Sequence, residues 1–184
     1  MILQGFYGIS VSFLRNKNMI YAFDTYYYED YANTVCIAFD EWTSNQEIEI
    51  FIEQTAVNSE YESGAFYKRE LPCILSLLNK IVLKEEDIII VDGYVTLDND
   101  GKVGLGGHLY EALDGKYPIV GIAKNEFTTP DLQRRSVFRG ESKTPLFVTA
   151  KGIDVDDAKR HVEQMDGPYR MPTLLKKLDQ LSRE

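Results

Sequence analysis

The sequence predicts an α/β fold on a mixed sheet, in which an antiparallel meander of three strands continues into parallel strands and helices cover the flanks. Three observations lead there. Strand patterns crowd the first half of the chain with short polar links between them. Strand and helix patterns then alternate, which favours parallel pairing through crossovers. The run "DIIIVDG" at 87–93 is the best candidate for a strand buried on both faces.

In order, "MIYAFDTYY" from Met19 and "NTVCIAFDEW" from Asn33 read as strands, and "EIEIFIEQT" from Glu47 reads as a third with alternating apolar positions. Links this short suit antiparallel neighbours. "FYKRELPCILSLLNKIV" places Ile74, Leu77, Leu78 and Ile81 at helical spacing, with Pro72 tolerable only near the helix start. "DIIIVDG" follows, then a glycine-rich link into the helical "GGHLYEAL", then the buried strand "YPIVGIAK". "TPLFVTA" is a last strand, Asp154 or Asp156 caps the helix "VDDAKRHVEQM", and "MPTLLKKLDQLS" is an amphipathic helix. No repeat, low-complexity tract or linker divides the 184 residues, so residues 1–184 are expected to form one domain.

Composition narrows the function classes. No apolar stretch is long enough for a membrane span, and the N-terminal segment lacks the charge and cleavage pattern of a signal peptide, so a cytoplasmic monomer without membrane contact is expected. Cys36 and Cys73 sit in apolar surroundings without metal-like spacing and read as buried thiols. His108 and His161 are the only histidines, which excludes multi-histidine metal sites. A net charge of −9 and a pI near 4.8 argue against broad electrostatic capture of nucleic acid.

The apolar run ends on Asp92, which raises the question of what the carboxylate does there. An EF-hand built on Asp98, Asp100 and Gly101 fails, because Thr96 falls on the first ligand position and Gly107 on the bidentate glutamate. Gly104, Gly106 and Gly107 match neither a dinucleotide turn nor a P-loop. Two readings remain: a plain Asp-Gly turn, or a group at the carboxyl end of a buried strand, where open α/β sheets place catalytic side chains. Asp24 ends the first strand and Lys124 the fifth in the same way, and Glu70 lies near the start of its helix. If the first and fourth strands are neighbours, Asp24, Asp92 and Glu70 share one site. Such a cluster calls for a cation or a raised pKa. An oxygen-only ligand set suits Mg²⁺ or Mn²⁺, and phosphodiester hydrolysis is its natural chemistry, with a nearby lysine stabilising the transition state.

Several segments resemble the endonuclease V family. "YESGAFYKRE" is similar to its Tyr-x-Pro-Gly-x-Leu-x-Phe-Arg-Glu segment, and "VDGYVTLDNDGKVGLGGHL" to its Val-Asp-Gly stretch that ends in His-Leu. "IVGIAK", "LFVTAKGIDVDDA" and "YRMPTLLKKLD" resemble later family motifs in the same order. The resemblance spans about Ile20 to Asp179 and implies an RNase H-like fold. It also implies a Mg²⁺-dependent endonuclease that cuts on the 3′ side of hypoxanthine, with DNA or RNA carrying a modified or unpaired base as partner.

Carried over by position, the resemblance assigns Asp24 and Asp92 to metal binding, Glu70 to catalysis and metal binding, and Lys124 to the active-site lysine. Tyr61, Ser63 and Gly64 fall in the strand-separating wedge loop, and Gly93 and His108 in the glycine-rich substrate-binding region. By itself His108 reads as a helix-packing residue. The chain departs from the family pattern where Ser63 replaces the wedge proline, where Asp98 replaces a histidine, and near Lys151 and Gly152, where a histidine has no equivalent. Tyr26, Tyr27 and Tyr28 form an aromatic cluster that could stack on bases, but strand alternation sends neighbours to opposite faces, so partial core packing is expected; Arg134, Arg135 and Arg139 read as a phosphate contact or a solvated surface. Three classes stay open: an inosine-directed nuclease, a nuclease of another substrate on the same scaffold, and a catalytically silent nucleic-acid or protein-binding module.

Overall fold

The computed structural model describes residues 17–56, 67–127 and 133–184. Strands β1 (Ile20–Tyr27), β2 (Tyr31–Phe39) and β3 (Glu49–Ala56) form the antiparallel meander. Next come helix α1 (Tyr67–Leu78), strand β4 (Ile88–Asp92), helix α2 (Leu105–Ala112) and strand β5 (Ile119–Ala123). Strand β4 pairs in parallel with both β1 and β5, as the alternating pattern predicts. Strands β6 (Arg135–Val137) and β7 (Leu146–Lys151) and helices α3 (Val155–Gln164) and α4 (Thr173–Ser182) follow. The sheet order among the described residues is β3-β2-β1-β4-β5-β7-β6.

Sequence periodicity gave no sign of β6, which is three residues long and, among the described residues, pairs with β7 alone. Strand β7 lies antiparallel to β5, so the parallel part of the sheet ends there. No helix is assigned in the described residues between β5 and β7, and an antiparallel neighbour needs no helical crossover.

Alternation along the strands builds a core on each face. Ile20 and Ala22 of β1, Ile90 of β4 and Val120 and Ile122 of β5 pack with Ala158 and Val162 of α3 and Leu174, Leu175 and Leu178 of α4. Tyr21, Phe23, Ile89, Val91 and Ile119 face the other way, onto Ile74 and Leu77 of α1 and Leu109 of α2. Burial on both faces explains why the central strands read as continuous apolar runs. Pro72 lies in the second turn of the described α1, further in than its usual place, with its ring on the exposed side of the helix. Asp154 caps α3, its Oδ1 accepting the Asp156 and Asp157 amides at 2.9 and 3.1 Å. Both cysteines are buried free thiols.

A glycine in β5 and one in the loop leaving β4 permit close packing. A Cβ on Gly121 of β5 would stand 2.6 Å from the Gly93 carbonyl oxygen, because the loop leaving β4 crosses directly over β5. Gly93 itself has φ +136°, a conformation suited to glycine. In the same loop Asp98 Oδ1 accepts the Asp100 and Lys102 amides at 3.0 and 2.9 Å.

The Arg134, Arg135 and Arg139 patch resolves into structural pairs. Arg134 reaches Glu126 at 3.0 Å and Arg135 reaches Asp156 at 2.6 Å. Arg139 is buried and donates to the carbonyls of Met165, Gly167 and Tyr169, which fixes the turn between α3 and α4. Arg139→Leu leaves these carbonyls without donors and is expected to cost about 2–4 kcal/mol in urea unfolding. Phe138→Ala, at a residue 61% exposed, should change stability by less than about 0.5 kcal/mol.

Candidate active site

The period-2 alternation that faces Ala22, Ile90 and Ile122 toward α4 continues for two more residues on each strand, to Asp24, Asp92 and Lys124. Parallel pairing sets Phe23 beside Val91 and Asp92 beside Ile122. One step further along that ladder Asp24 stands beside Asp92, so these polar side chains meet at a single sheet end. With Asp179 of α4 they line a narrow crevice floored by Ile90, Ile122, Leu175 and Leu178.

Asp24 is only 9% exposed and accepts a hydrogen bond from Ser182 Oγ at 2.5 Å. Burial raises its carboxyl pKa, the Ser182 bond opposes that rise, and Asp92 adds to it. Glu70 comes from α1, on the opposite side of the sheet, and is 3% exposed. Its pKa is pushed well above the ordinary range by burial, then by the charges of Asp24 and Asp92. Its Oε2 is buried with no hydrogen-bond partner among the described residues.

Lys124 Nζ is the cation of the cluster, 2.9 Å from Asp92 Oδ2 and 2.9 Å from Asp179 Oδ1. Burial draws its pKa down, but Asp92 and Asp179 outweigh that and leave it raised, so the ammonium stays charged. Asp179 is held below the usual carboxylate range by its hydrogen bond from Arg183, against the effect of burial, and by Lys124. The Arg170 guanidinium donates to the Lys124 carbonyl and, at 2.7 Å, to the Pro145 carbonyl, which fixes the backbone behind the lysine.

The structure thus brings Asp24, Asp92 and Lys124 into one crevice with Asp179, sets Ser182 on Asp24, and places Glu70 beside Asp92 on the α1 side. Asp179 closes the segment "YRMPTLLKKLD", yet its partner Lys124 is 55 residues away, and only the docking of α4 on the sheet reveals the pair. Among the described residues no three His, Cys, Asp or Glu side chains are already gathered as a cation cage.

On the α1 side of the cluster a cavity is lined by Tyr67, Glu70, Asp92, Gly93, Tyr94 and Gly104, among others. Gly93 therefore lies beside the carboxylates of Glu70 and Asp92. His108 lies behind the cavity wall, its ring stacked on Tyr67 at 3.8 Å and its Nδ1 3.9 Å from Glu111, which agrees with a packing role. Tyr61, Ser63 and Gly64 lie outside the described residues. Asp98, at the place of the family histidine, is bonded within its own loop, its Oδ1 closing a turn.

Comparison with curated protein sequences gives no match. Among solved structures, human endonuclease V superposes with a TM-score of 0.72 at 18% identity, covering 91% of this chain and 83% of that one. The Bacillus subtilis endonuclease V gives 0.72 at 18%, covering 92% and 80%. The Ciona intestinalis endonuclease V, in complex with a 24mer DNA containing an inosine followed by a ribo-adenosine, gives 0.73 at 15%, covering 92% and 86%. At these identities the likeness establishes the fold, an RNase H-like α/β arrangement. No helix of the described residues is long and apolar enough to cross a membrane. The sequence profile of endonuclease V matches residues 9–180, nearly the whole chain, and the protein belongs to the endonuclease V family.

Proposed function

We propose that this chain is a divalent-metal-dependent endonuclease that hydrolyses the phosphodiester on the 3′ side of a deaminated base, hypoxanthine or inosine, in DNA or RNA. What supports this reading is that Asp24, Asp92 and Lys124 line one crevice at the carboxyl end of the central strands, with Glu70 of α1 lining the neighbouring cavity beside Asp92. Family membership supports nuclease chemistry on inosine-containing nucleic acid.

The residues fit a hard cation. The donors are carboxylate oxygens without histidine or thiolate, as Mg²⁺ and Mn²⁺ prefer. The unpartnered Oε2 of Glu70 and the mutual repulsion of Glu70, Asp24 and Asp92 mark a site short of positive charge. Asp24, Glu70 and Asp92 would hold the ion, which would lower the pKa of a bound water and neutralise phosphoryl charge. Lys124 Nζ presents a fixed positive charge to the oxygens that become more negative in the transition state. Asp179 positions that ammonium, and Ser182 Oγ orients the Asp24 carboxylate. A base turned out of its stack enters the cavity between Tyr67 and Gly93, with Tyr67 braced from behind by His108. Tyr61, Ser63 and Gly64 are assigned to the loop that parts the strands.

Asp92→Asn removes a charge at constant volume, and its nicking of a hypoxanthine-containing strand in Mg²⁺ should fall at least about 10²-fold. EDTA should abolish nicking by the unsubstituted chain. Full activity in either case rules the mechanism out.

A second test reads stability. A carboxyl whose pKa is raised by folding binds a proton that the unfolded chain releases. Its contribution therefore falls as pH climbs from the ordinary carboxylate range through the raised folded value. Without metal, Glu70→Gln should flatten this slope and be more stable than the unsubstituted protein at pH 8, by about 1–3 kcal/mol. Added Mg²⁺ should raise the melting temperature of the unsubstituted chain and not that of the variant.

Ser63 does not stiffen a wedge loop as proline does, so parting an intact duplex is expected to be harder. Cleavage of hypoxanthine in single strands and bulges should exceed cleavage in perfect duplexes, where unstacking costs a few kcal/mol more. A preference for the duplex would show that the altered loop still opens it.

A further inference from the structure

An open groove of about 520 Å³ runs beside Lys124, bordered by Tyr169, Arg170, Lys176, Asp179 and Arg183. Three of these side chains are cationic, four with Lys124, and one is anionic, on a chain whose net charge is −9. Lys176, Asp179 and Arg183 recur at spacings of three and four and so share one face of α4. The anion is already paired, since Asp179 binds both Lys124 and Arg183.

Aromatic rings alternate with these cations. Lys176 Nζ lies 5.6 Å from the centre of the Tyr169 ring, which is 66% exposed. At the other end the Arg183 guanidinium lies 4.8 Å from the centre of the Tyr26 ring. Tyr26 meets Tyr28 edge-on at 5.0 Å, and Tyr28 stacks on Tyr31 at 4.6 Å. Strand alternation separates this group from Tyr27, whose ring lies under Arg69 on the α1 side.

We propose that this groove is a track for one unpaired nucleic-acid strand passing the cleavage site, with phosphates over Lys176 and Arg183. Bases stack on Tyr169 at one end and on the Tyr26, Tyr28 and Tyr31 edge at the other. The inference rests on the nuclease reading and specifies how its substrate is held. Cations alone serve a duplex backbone equally well, whereas rings placed between them offer stacking surfaces that only unpaired bases can use. The track also answers how so acidic a chain retains a polyanion: it keeps a local strip of opposite sign beside the carboxylates. Glu29, Asp30 and Glu184 adjoin the tyrosine edge and set its outer limit by repelling phosphate.

The test is fluorescence anisotropy of the full chain with a 5′-labelled oligothymidylate about 20 nucleotides long, a length that spans at least one site of the size usual for single-strand binders. It is read in Mg²⁺ over a range of salt. Lys176→Gln should weaken binding and lower the slope of log K against log salt by about 0.7, the value for one lost single-strand phosphate contact. Tyr169→Ala should weaken binding roughly 5- to 100-fold with the slope unchanged. Lys116→Gln, at the opposite end of the sheet, should do neither. Absence of binding by the unsubstituted chain overturns the track, as does unaltered binding in both Lys176→Gln and Tyr169→Ala. Equal competition by poly-glutamate also overturns it, since stacking would then be irrelevant. The probe contains no hypoxanthine, so its binding and the nicking assay can fail independently.

Discussion

Parallel pairing of β1 with β4 and of β4 with β5 is the constraint on which the site depends. Three strands running the same way end together, and side chains an even number of residues beyond a buried position emerge on one face. Ala22, Ile90 and Ile122 are held in the core against α3 and α4, so Asp24, Asp92 and Lys124 have to project past the end of that core. A slip of one residue in any strand would turn its polar group to the face of α1 and α2. The hydrophobic core therefore sets the register of these polar groups.

That arrangement concentrates negative charge where water is scarce, and the surrounding structure compensates group by group. Asp24 receives the Ser182 hydroxyl, Asp92 and Asp179 share the Lys124 ammonium, and Asp179 also receives Arg183. Glu70 is the exception, buried from the opposite side of the sheet with one oxygen unpaired. Folding stability is thereby given up at the site, as is usual where polar groups are buried for a purpose other than stability.

Helix α4 joins fold and function. Its apolar face, with Leu174, Leu175 and Leu178, packs on the sheet. Its C-terminal carbonyls at Leu181 and Ser182 accept Asn33 Nδ2 of β2. Docked in this way, the helix delivers Asp179 and Ser182 to the carboxylates and leaves Lys176 and Arg183 facing the groove. One amphipathic helix thus closes the core, completes the charge pairing and supplies cations at the edge of the site.

The sequence by itself determined the meander, the alternation into parallel strands, the capped α3 and the four polar residues at element ends, because each leaves a local mark in periodicity or turn chemistry. Tertiary structure decided the rest. Strand β6 exists only through its pairing with β7, and the antiparallel course of β7 carries no local signal. The arginine cluster looked like a basic surface until Arg139 proved to be buried against the carbonyls of a distant turn. Asp179 looked like any aspartate on an amphipathic helix until docking brought it to Lys124. A hydrogen bond or ion pair depends on separation in space, and when its partners lie tens of residues apart, neither residue's neighbours in the chain record it.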